Sequence, residues 1–166
     1  QNNTTASYNV AVGVDALYHN TTGGNNTAVG ASALLANTTG SENVAIGHQT
    51  LDANTTGASN TGLGRASLSA NTTASGNTGV GESALRFNTT GANNVALGAN
   101  SLDANTTGGD NVALGYNALT ANTTAASNTA VGHSALAANT TGQWNTAIGQ
   151  RALSANTTAG YKYYRC

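Results

Sequence analysis

The 166-residue chain has no proline, no methionine and one cysteine, and charged residues make up only 7% of it. Globular proteins usually carry about 25% charged residues. With a formal net charge of −1, the chain lacks the basic face that nucleic-acid binding requires. No apolar run approaches the roughly 18 residues of a membrane span. We therefore expect neither a nucleic-acid partner nor a membrane span.

What the sequence has instead is a strict internal repeat. Asn-Thr-Thr begins every 17 residues from Asn3 to Asn156, without insertion or deletion, so residues 3–155 hold nine complete repeats. The consensus is N-T-T-[GA]-x-x-N-[TV]-[AG]-[VIL]-G-x-x-[AST]-L-x-x. Positions 1 to 17 are numbered from the first asparagine of this motif.

The repeat predicts short strands and turns rather than helix. Positions 8–10, for example Thr27–Val29, alternate in a period of two, which is typical of a strand. Glycine at position 11 predicts a turn, a second apolar stretch ends at Leu in position 15, and Asn-Thr-Thr predicts another turn. Gly, Asn and Thr recur too often for a helix longer than about six residues.

These features predict an all-β fold, a parallel β-solenoid (β-roll) of about nine rungs with two short strands per rung. At about 4.8 Å per rung the rod is roughly 43 Å long. Each position then faces a copy of itself, so Asn bonds to Asn and Leu packs on Leu in ladders. The expected core contains the Val, Ile or Leu of position 10, the Leu of position 15, and several alanines.

Charged residues within the repeats fall only at positions 6, 12, 13 and 16, which we interpret as the solvent face. Neighbouring rungs place Arg65 beside Glu82 and Arg86 beside Asp103, so two ion pairs are expected. Because the expected core is thin and supplies little hydrophobic stabilisation, we expect association with other chains to stabilise the rod. Either several chains surround one axis within a trimeric fibre, or rods stack end on end.

The segments NTAVGASAL, NVAIGHQTL and NTAIGQRAL resemble the repeats of trimeric autotransporter adhesin heads and of phage tail-fibre shafts. The resemblance covers residues 3–159 and is specific in N-x-A-[VIL]-G. It implies a trimeric left-handed β-roll in a fibre that is extracellular, on a cell surface or on a virion surface. The 17-residue unit is longer than that of the adhesin heads. No receptor-binding residues carry over.

Every Asn-Thr-Thr is also an N-glycosylation sequon, and the alternative interpretation is an inward-turned asparagine ladder. Threonine hydroxyls are further candidates for sugars. The asparagine candidates are Asn20, Asn37, Asn54, Asn71, Asn88, Asn105, Asn122 and Asn139.

Two regions are expected, a repetitive solenoid over residues 1–159 and a non-repeat tail over residues 160–166. The tail is interpreted as a cap, a subunit-docking segment or the start of a further region. Its candidate contact residues are Tyr161, Tyr163, Tyr164 and Arg165. Because Cys166 is the only cysteine of the sequence, no intrachain disulfide can form, and an interchain disulfide or a free thiol remain alternatives.

We predict a structural fibre subunit that is not an enzyme and needs no cofactor or metal. No Cys/His cluster has metal-ligand spacing, and His48 and His133 are expected about 24 Å apart. The expected partner is the chain itself, as a homotrimer or head-to-tail polymer. The alternatives are an adhesin that binds a cell-surface receptor or glycan through Tyr116, His133 and Trp144, and, less favoured, an ice-binding protein.

Overall fold

A computed structural model describes residues 5–165 as an all-β parallel solenoid. Ten three-residue strands form a single sheet in chain order, and residues 5–165 contain no helix. Consequently none of the described residues belongs to a helix that could span a membrane. The strands are β1 Val10–Val12, β2 Thr27–Val29, β3 Val44–Ile46, β4 Thr61–Leu63, β5 Thr78–Val80, β6 Val95–Leu97, β7 Val112–Leu114, β8 Thr129–Val131, β9 Thr146–Ile148 and β10 Tyr163–Arg165.

The register repeats without a slip along the whole sheet. Val10 pairs with Thr27, Thr27 with Val44, and so on in steps of 17 residues to Tyr163. One repeat is therefore one rung, and every repeat position forms a ladder along the axis. The predicted solenoid with a 17-residue period is confirmed.

The prediction of two strands per rung is wrong, because the second apolar stretch is a turn. Positions 13 and 15 have positive φ, as at Gln49 with 54° and Leu51 with 53°. These values are unusual for residues other than glycine and are incompatible with a strand. The backbone still bonds between rungs, since the Leu51 amide donates to the Ser67 carbonyl at 3.1 Å.

The apolar part of the interior is narrower than predicted. It contains alanine from position 9, small residues from position 14 and leucine from position 15. The position-10 aliphatic residues, expected in the core, lie on the opposite side of the strand, where Leu97 is 52% exposed. That expectation is therefore wrong.

Steric room explains why alanine and not the larger aliphatic residue faces inward. A Cβ added to Gly62, at position 9, would lie 2.5 Å from Cγ2 of Thr50, and one added to Gly79 would lie 2.5 Å from Oγ of Ser67. At these distances the interior can accept a single methyl group at position 9 only if the neighbouring side chains shift slightly, and it cannot accept a larger side chain. Val, Ile or Leu at position 9 would not fit.

The rest of the interior is polar. Sixteen asparagines from positions 1 and 7 are buried, together with four Ser or Thr side chains, against twenty-three buried apolar residues. Asn54 Nδ2 donates to Asn37 Oδ1 at 2.8 Å and to the Gly57 carbonyl at 3.0 Å. Asn43 Nδ2 donates to the same carbonyl at 2.9 Å, and Asn43 bonds to Asn26 of the preceding rung. The predicted asparagine ladder is confirmed, and it is doubled.

Glycine at position 11 closes the strand where no side chain fits. Gly64 has a φ of 125°, and a Cβ there would lie 2.7 Å from the carbonyl carbon and oxygen of Gly81. Both the dihedral angle and the contact oppose any larger residue. This explains why the position is glycine in all nine repeats.

Residues 160–165 keep the register of the rod although their side chains depart from the repeat. β10 pairs with β9, and the Lys162 amide donates to Asn145 Oδ1 at 2.9 Å as an asparagine amide would. Lysine has no acceptor to offer in turn, so the position-7 ladder stops here. Cys166 lies outside the described residues.

Candidate functional surfaces

The side of the sheet that faces away from the interior carries positions 8 and 10 of each strand. We call these residues in β2–β9 the outer sheet face. Position 8 is half-buried, and position 10 varies from half-buried to exposed. The face consists of Thr27, Val29, Val44, Ile46, Thr61, Leu63, Thr78, Val80, Val95, Leu97, Val112, Leu114, Thr129, Val131, Thr146 and Ile148.

No residue of the outer sheet face is charged, and its position-10 ladder is aliphatic in every rung. Exposed apolar patches that run continuously over a surface mark interaction sites. Sequence reasoning missed this face because it assigned the same aliphatic residues to the core. The alternation at positions 8–10 could have indicated this face, because it defines two sides of the strand and is equally compatible with either side facing outward.

None of the aromatic residues contributes to the core. All eight are exposed, and two adjacent-rung pairs stack on the surface: Tyr116 with His133 at 5.4 Å between ring centroids, and Trp144 with Tyr161 at 4.8 Å. These stacks place aromatic rings on the C-terminal half of the rod. The exposed aromatic residues are Tyr8, Tyr18, Phe87, Tyr116, Trp144, Tyr161, Tyr163 and Tyr164.

Both predicted ion pairs are present. Arg65 Nη2 contacts Glu82 Oε1 at 2.6 Å, and Arg86 Nε lies 3.0 Å from Asp103 Oδ1. The side chains of the first pair are 61% and 57% exposed, whereas those of the second are 38% and 18% exposed. Position 16, which holds Arg86 and Asp103, is therefore less open to solvent than the sequence interpretation implied.

The two aspartates at position 16 share a perturbed environment. Burial raises the pKa of Asp52, and hydrogen bonds from the backbone at Asp52 and Ala53 oppose the shift. Burial also raises the pKa of Asp103, although the neighbouring Arg86 lowers it. Within the described part of the chain, Oδ1 lacks a hydrogen-bond partner in both aspartates. Asp103 Oδ2 accepts a bond from Arg86 Nη2 at 3.1 Å, whereas Asp52 forms no ion pair with any of residues 5–165. The charge of Asp52 is the less well compensated of the two.

The sequon asparagines are the buried position-1 ladder. From Asn37 to Asn139 each Nδ2 donates to the preceding asparagine and to the carbonyl three residues ahead, as Asn88 does to Asn71 and Gly91. A glycan on Nδ2 would have to replace one of these bonds and leave the interior. The geometry therefore favours the ladder interpretation over the sequon interpretation.

The candidate contact residues of the tail all lie on the surface. Tyr161 stacks on Trp144, while Tyr163, Tyr164 and Arg165 form the exposed strand β10. Tyr164 occupies position 9, which elsewhere holds a buried alanine or glycine. The structure does not bring these residues together with Tyr116 and His133 into a single pocket-like site.

Among residues 5–165 there is no group of three His, Cys, Asp or Glu side chains that could hold a metal ion. His48 and His133 stand at the same repeat position, five rungs apart. Comparison of the chain with protein-family models, curated proteins and solved structures finds no match. Function therefore has to be argued from the surfaces themselves.

Proposed function

We propose that the chain is a structural subunit of an extracellular fibre, in which rods associate side by side through the outer sheet face. The observation that carries this proposal is the uncharged aliphatic ladder on that face. Burying it between chains would remove apolar surface from water and supply the stabilisation that the thin interior lacks. The work of such a fibre is length, stiffness and display, without catalysis.

A second copy of the chain is the partner that this face fits best. Side chains repeat at every rung, about 4.8 Å apart, so a partner with the same rung spacing makes the same contact many times. A copy of the rod has that spacing by construction. Three rods around one axis bury all three outer sheet faces and leave none exposed.

The resemblance to adhesin heads and tail-fibre shafts supports the same arrangement. It is also the basis for placing the fibre outside the cell, on a cell surface or on a virion. A head-to-tail polymer is the competing assembly, and it would use the rod ends rather than the outer sheet face. The two assemblies therefore differ in which residues they need.

Analytical ultracentrifugation tests the proposal on the intact chain. We expect a discrete homotrimer, and we expect replacement of Ile46, Leu63 and Leu97 by threonine to give monomers with an unchanged circular dichroism spectrum. The matched control replaces Asn25, Glu42 and Asp110 at position 6 by serine, the residue found there in two other repeats. A parent chain that stays monomeric at all concentrations would overturn lateral association. Growth without limit, unaffected by the threonine variant, would indicate head-to-tail stacking.

The exposed aromatic stacks favour a second candidate, an adhesive surface that binds a cell-surface receptor or glycan. Tyr116 is 49% exposed beside the small Ala99 of the preceding rung, and Trp144 is 51% exposed beside Ser127. Each ring therefore has its stacking partner on one side only, and aromatic residues with an open face are favoured at contacts.

Binding of the chain to a panel of immobilised glycans and to intact cells tests the adhesive candidate. Tyr116→Ser with Trp144→Ser should abolish binding. The control is Tyr18→Ser with Phe87→Ser. Both residues are exposed aromatics that take part in neither stack between adjacent rungs, so this variant should bind as the parent chain does. Equal binding by both variants would reject a role for the stacks.

A further inference from the structure

Threonine at position 3 of the repeat combines two properties that no other position of the repeat combines. It is the same residue in all ten copies, from Thr5 to Thr158, and it is exposed in every one. Other exposed positions have diverged: position 6 holds Glu42, Gly76 and Trp144 among others. The invariance of position 3 is therefore not a general feature of the surface.

The fold accounts for the neighbouring threonine and leaves this one unexplained. At position 2, the Thr55 hydroxyl donates to the Thr72 carbonyl of the next rung at 3.0 Å, and the same bond recurs from rung to rung. At position 3, no hydroxyl of residues 5–165 forms a hydrogen bond with the protein. The backbone amide does so in most rungs, as from Thr56 to the Thr72 carbonyl at 3.3 Å. The side chain at position 3 is thus free for chemistry.

The sequon does not explain position 3 either. A serine or threonine two residues after asparagine is required when that asparagine receives a glycan. Here the asparagine at position 1 is buried, and the bonds from Asn71 Nδ2 to Asn54 Oδ1 and the Ala74 carbonyl occupy both of its hydrogens. The repetition of threonine at position 3 is therefore explained neither by the fold nor by the sequon.

We propose that the position-3 threonines are O-glycosylation sites and that the rod carries a line of short glycans. In the modification, Thr Oγ1 attacks the anomeric carbon of a nucleotide-activated sugar. The bond from that carbon to phosphate breaks, a nucleoside diphosphate leaves, and the hydroxyl proton passes to a base of the glycosyltransferase. The acceptor hydroxyl needs no change in the fold of the rod.

The residues next to position 3 are small enough to leave room for a sugar, and a sugar there would hydrate the rod. Position 4 is Gly or Ala in all ten copies and is buried in eight of them, the exceptions being Ala6 and Ala159. Position 5 is small in nine of ten copies, with Gln143 as the exception. Neighbouring hydroxyls stand about 4.8 Å apart, so crowding should keep occupancy below one sugar per rung. Glycans would hydrate a rod in which only 7% of residues are charged.

Intact mass spectrometry of the chain purified from its natural source tests the proposal. We expect masses above the sequence mass in whole steps of one saccharide, and electron-transfer fragmentation should place the sugars on position 3. Position 2 is a matched internal control, because it is also threonine in every copy but its hydroxyl is already hydrogen-bonded to the next rung. A mass equal to that of the sequence, or sugars on position 1 or 2, would overturn the proposal.

A second experiment separates modification from a role in ordering water. An extract of the source organism with a radiolabelled nucleotide sugar should label the full recombinant chain. Replacing Thr56, Thr73 and Thr90 by valine should lower the label, whereas replacing Thr55, Thr72 and Thr89 should not. A native chain without sugars that shows thermal hysteresis lost in the position-3 variant would assign these threonines to ice binding instead.

Discussion

The two halves of the rod interior are built on different chemistry. One half holds asparagines from positions 1 and 7 around the carbonyl of position 4, and hydrogen bonds connect each rung to the next. The other half holds alanine and leucine in a continuous apolar cluster. Both halves repeat the same contact at every rung, but one depends on exact donor and acceptor matching and the other on volume.

The difference predicts unequal tolerance to substitution. A buried hydrogen-bonded ladder loses its partners when one member changes, and unpaired buried polar groups are costly. An apolar cluster loses contacts and gains a cavity, which neighbouring side chains can partly fill. We therefore expect the asparagine half to dictate register and the leucine half to supply bulk stabilisation.

The largest effect is expected from Asn71→Asp, which tests the matching requirement directly. The replaced Nδ2 faces two acceptors, Asn54 Oδ1 and the Ala74 carbonyl, so aspartate puts a buried negative charge against them. We expect the free energy of unfolding to fall by about 5 kcal/mol, measured by urea denaturation at pH 7. Asn25→Asp is the control, because position 6 is exposed and holds Asp110 in another rung. Equal losses in the two variants would refute the special status of the ladder.

Leu68→Ala tests the apolar half and is expected to cost about 2–5 kcal/mol. Leu68 is fully buried, whereas Leu63 on the outer sheet face is 44% exposed. Leu63→Ala, measured below the concentration at which chains associate, should therefore cost less than about 1 kcal/mol. Similar losses for the two leucines in dissociated chains would contradict the assignment of inner and outer faces.

The same two halves show what sequence can predict in a repeat protein. The period, the register, the strand at positions 8–10, the Asn37–Asn54 ladder and both ion pairs follow from a strict 17-residue repeat, because each residue must face its own copy. Which side of the strand faces inward does not follow. Alternation of Ala45 with Val44 and Ile46 defines two sides, and only the narrow interior selects alanine. The turn at Leu51 was missed because leucine rarely adopts positive φ.

The two ion pairs differ in solvent exposure, so comparing their coupling energies tests how strongly solvent screens charges on the rod. Double-mutant cycles should give a coupling energy of about 1 kcal/mol for Arg86 with Asp103 and about 0.3 kcal/mol for Arg65 with Glu82, since solvent screens the more exposed pair more strongly. Thermal unfolding in low and high salt provides the readout. A larger coupling for Arg65 with Glu82 would show that exposure does not control the strength of these pairs.

The smallest effect is expected at Asp52, which lacks the arginine that accompanies Asp103. Because burial raises the pKa of Asp52 above its ordinary value of 3.8, the folded chain holds this proton more tightly than the unfolded chain. Its contribution therefore favours folding at low pH and is lost as pH rises from about 3.8 through the raised pKa. Asp52→Asn should leave Tm unchanged at pH 3 and raise it by less than about 1 °C at pH 7, because solvent screens much of the charge of this half-exposed carboxyl. Asp103→Asn removes the partner of Arg86 and should give no such gain. A Tm difference for Asp52→Asn that is constant between pH 3 and pH 7 would show that its charge is as well solvated as in the unfolded chain, and the apolar half would then tolerate charge at its edge.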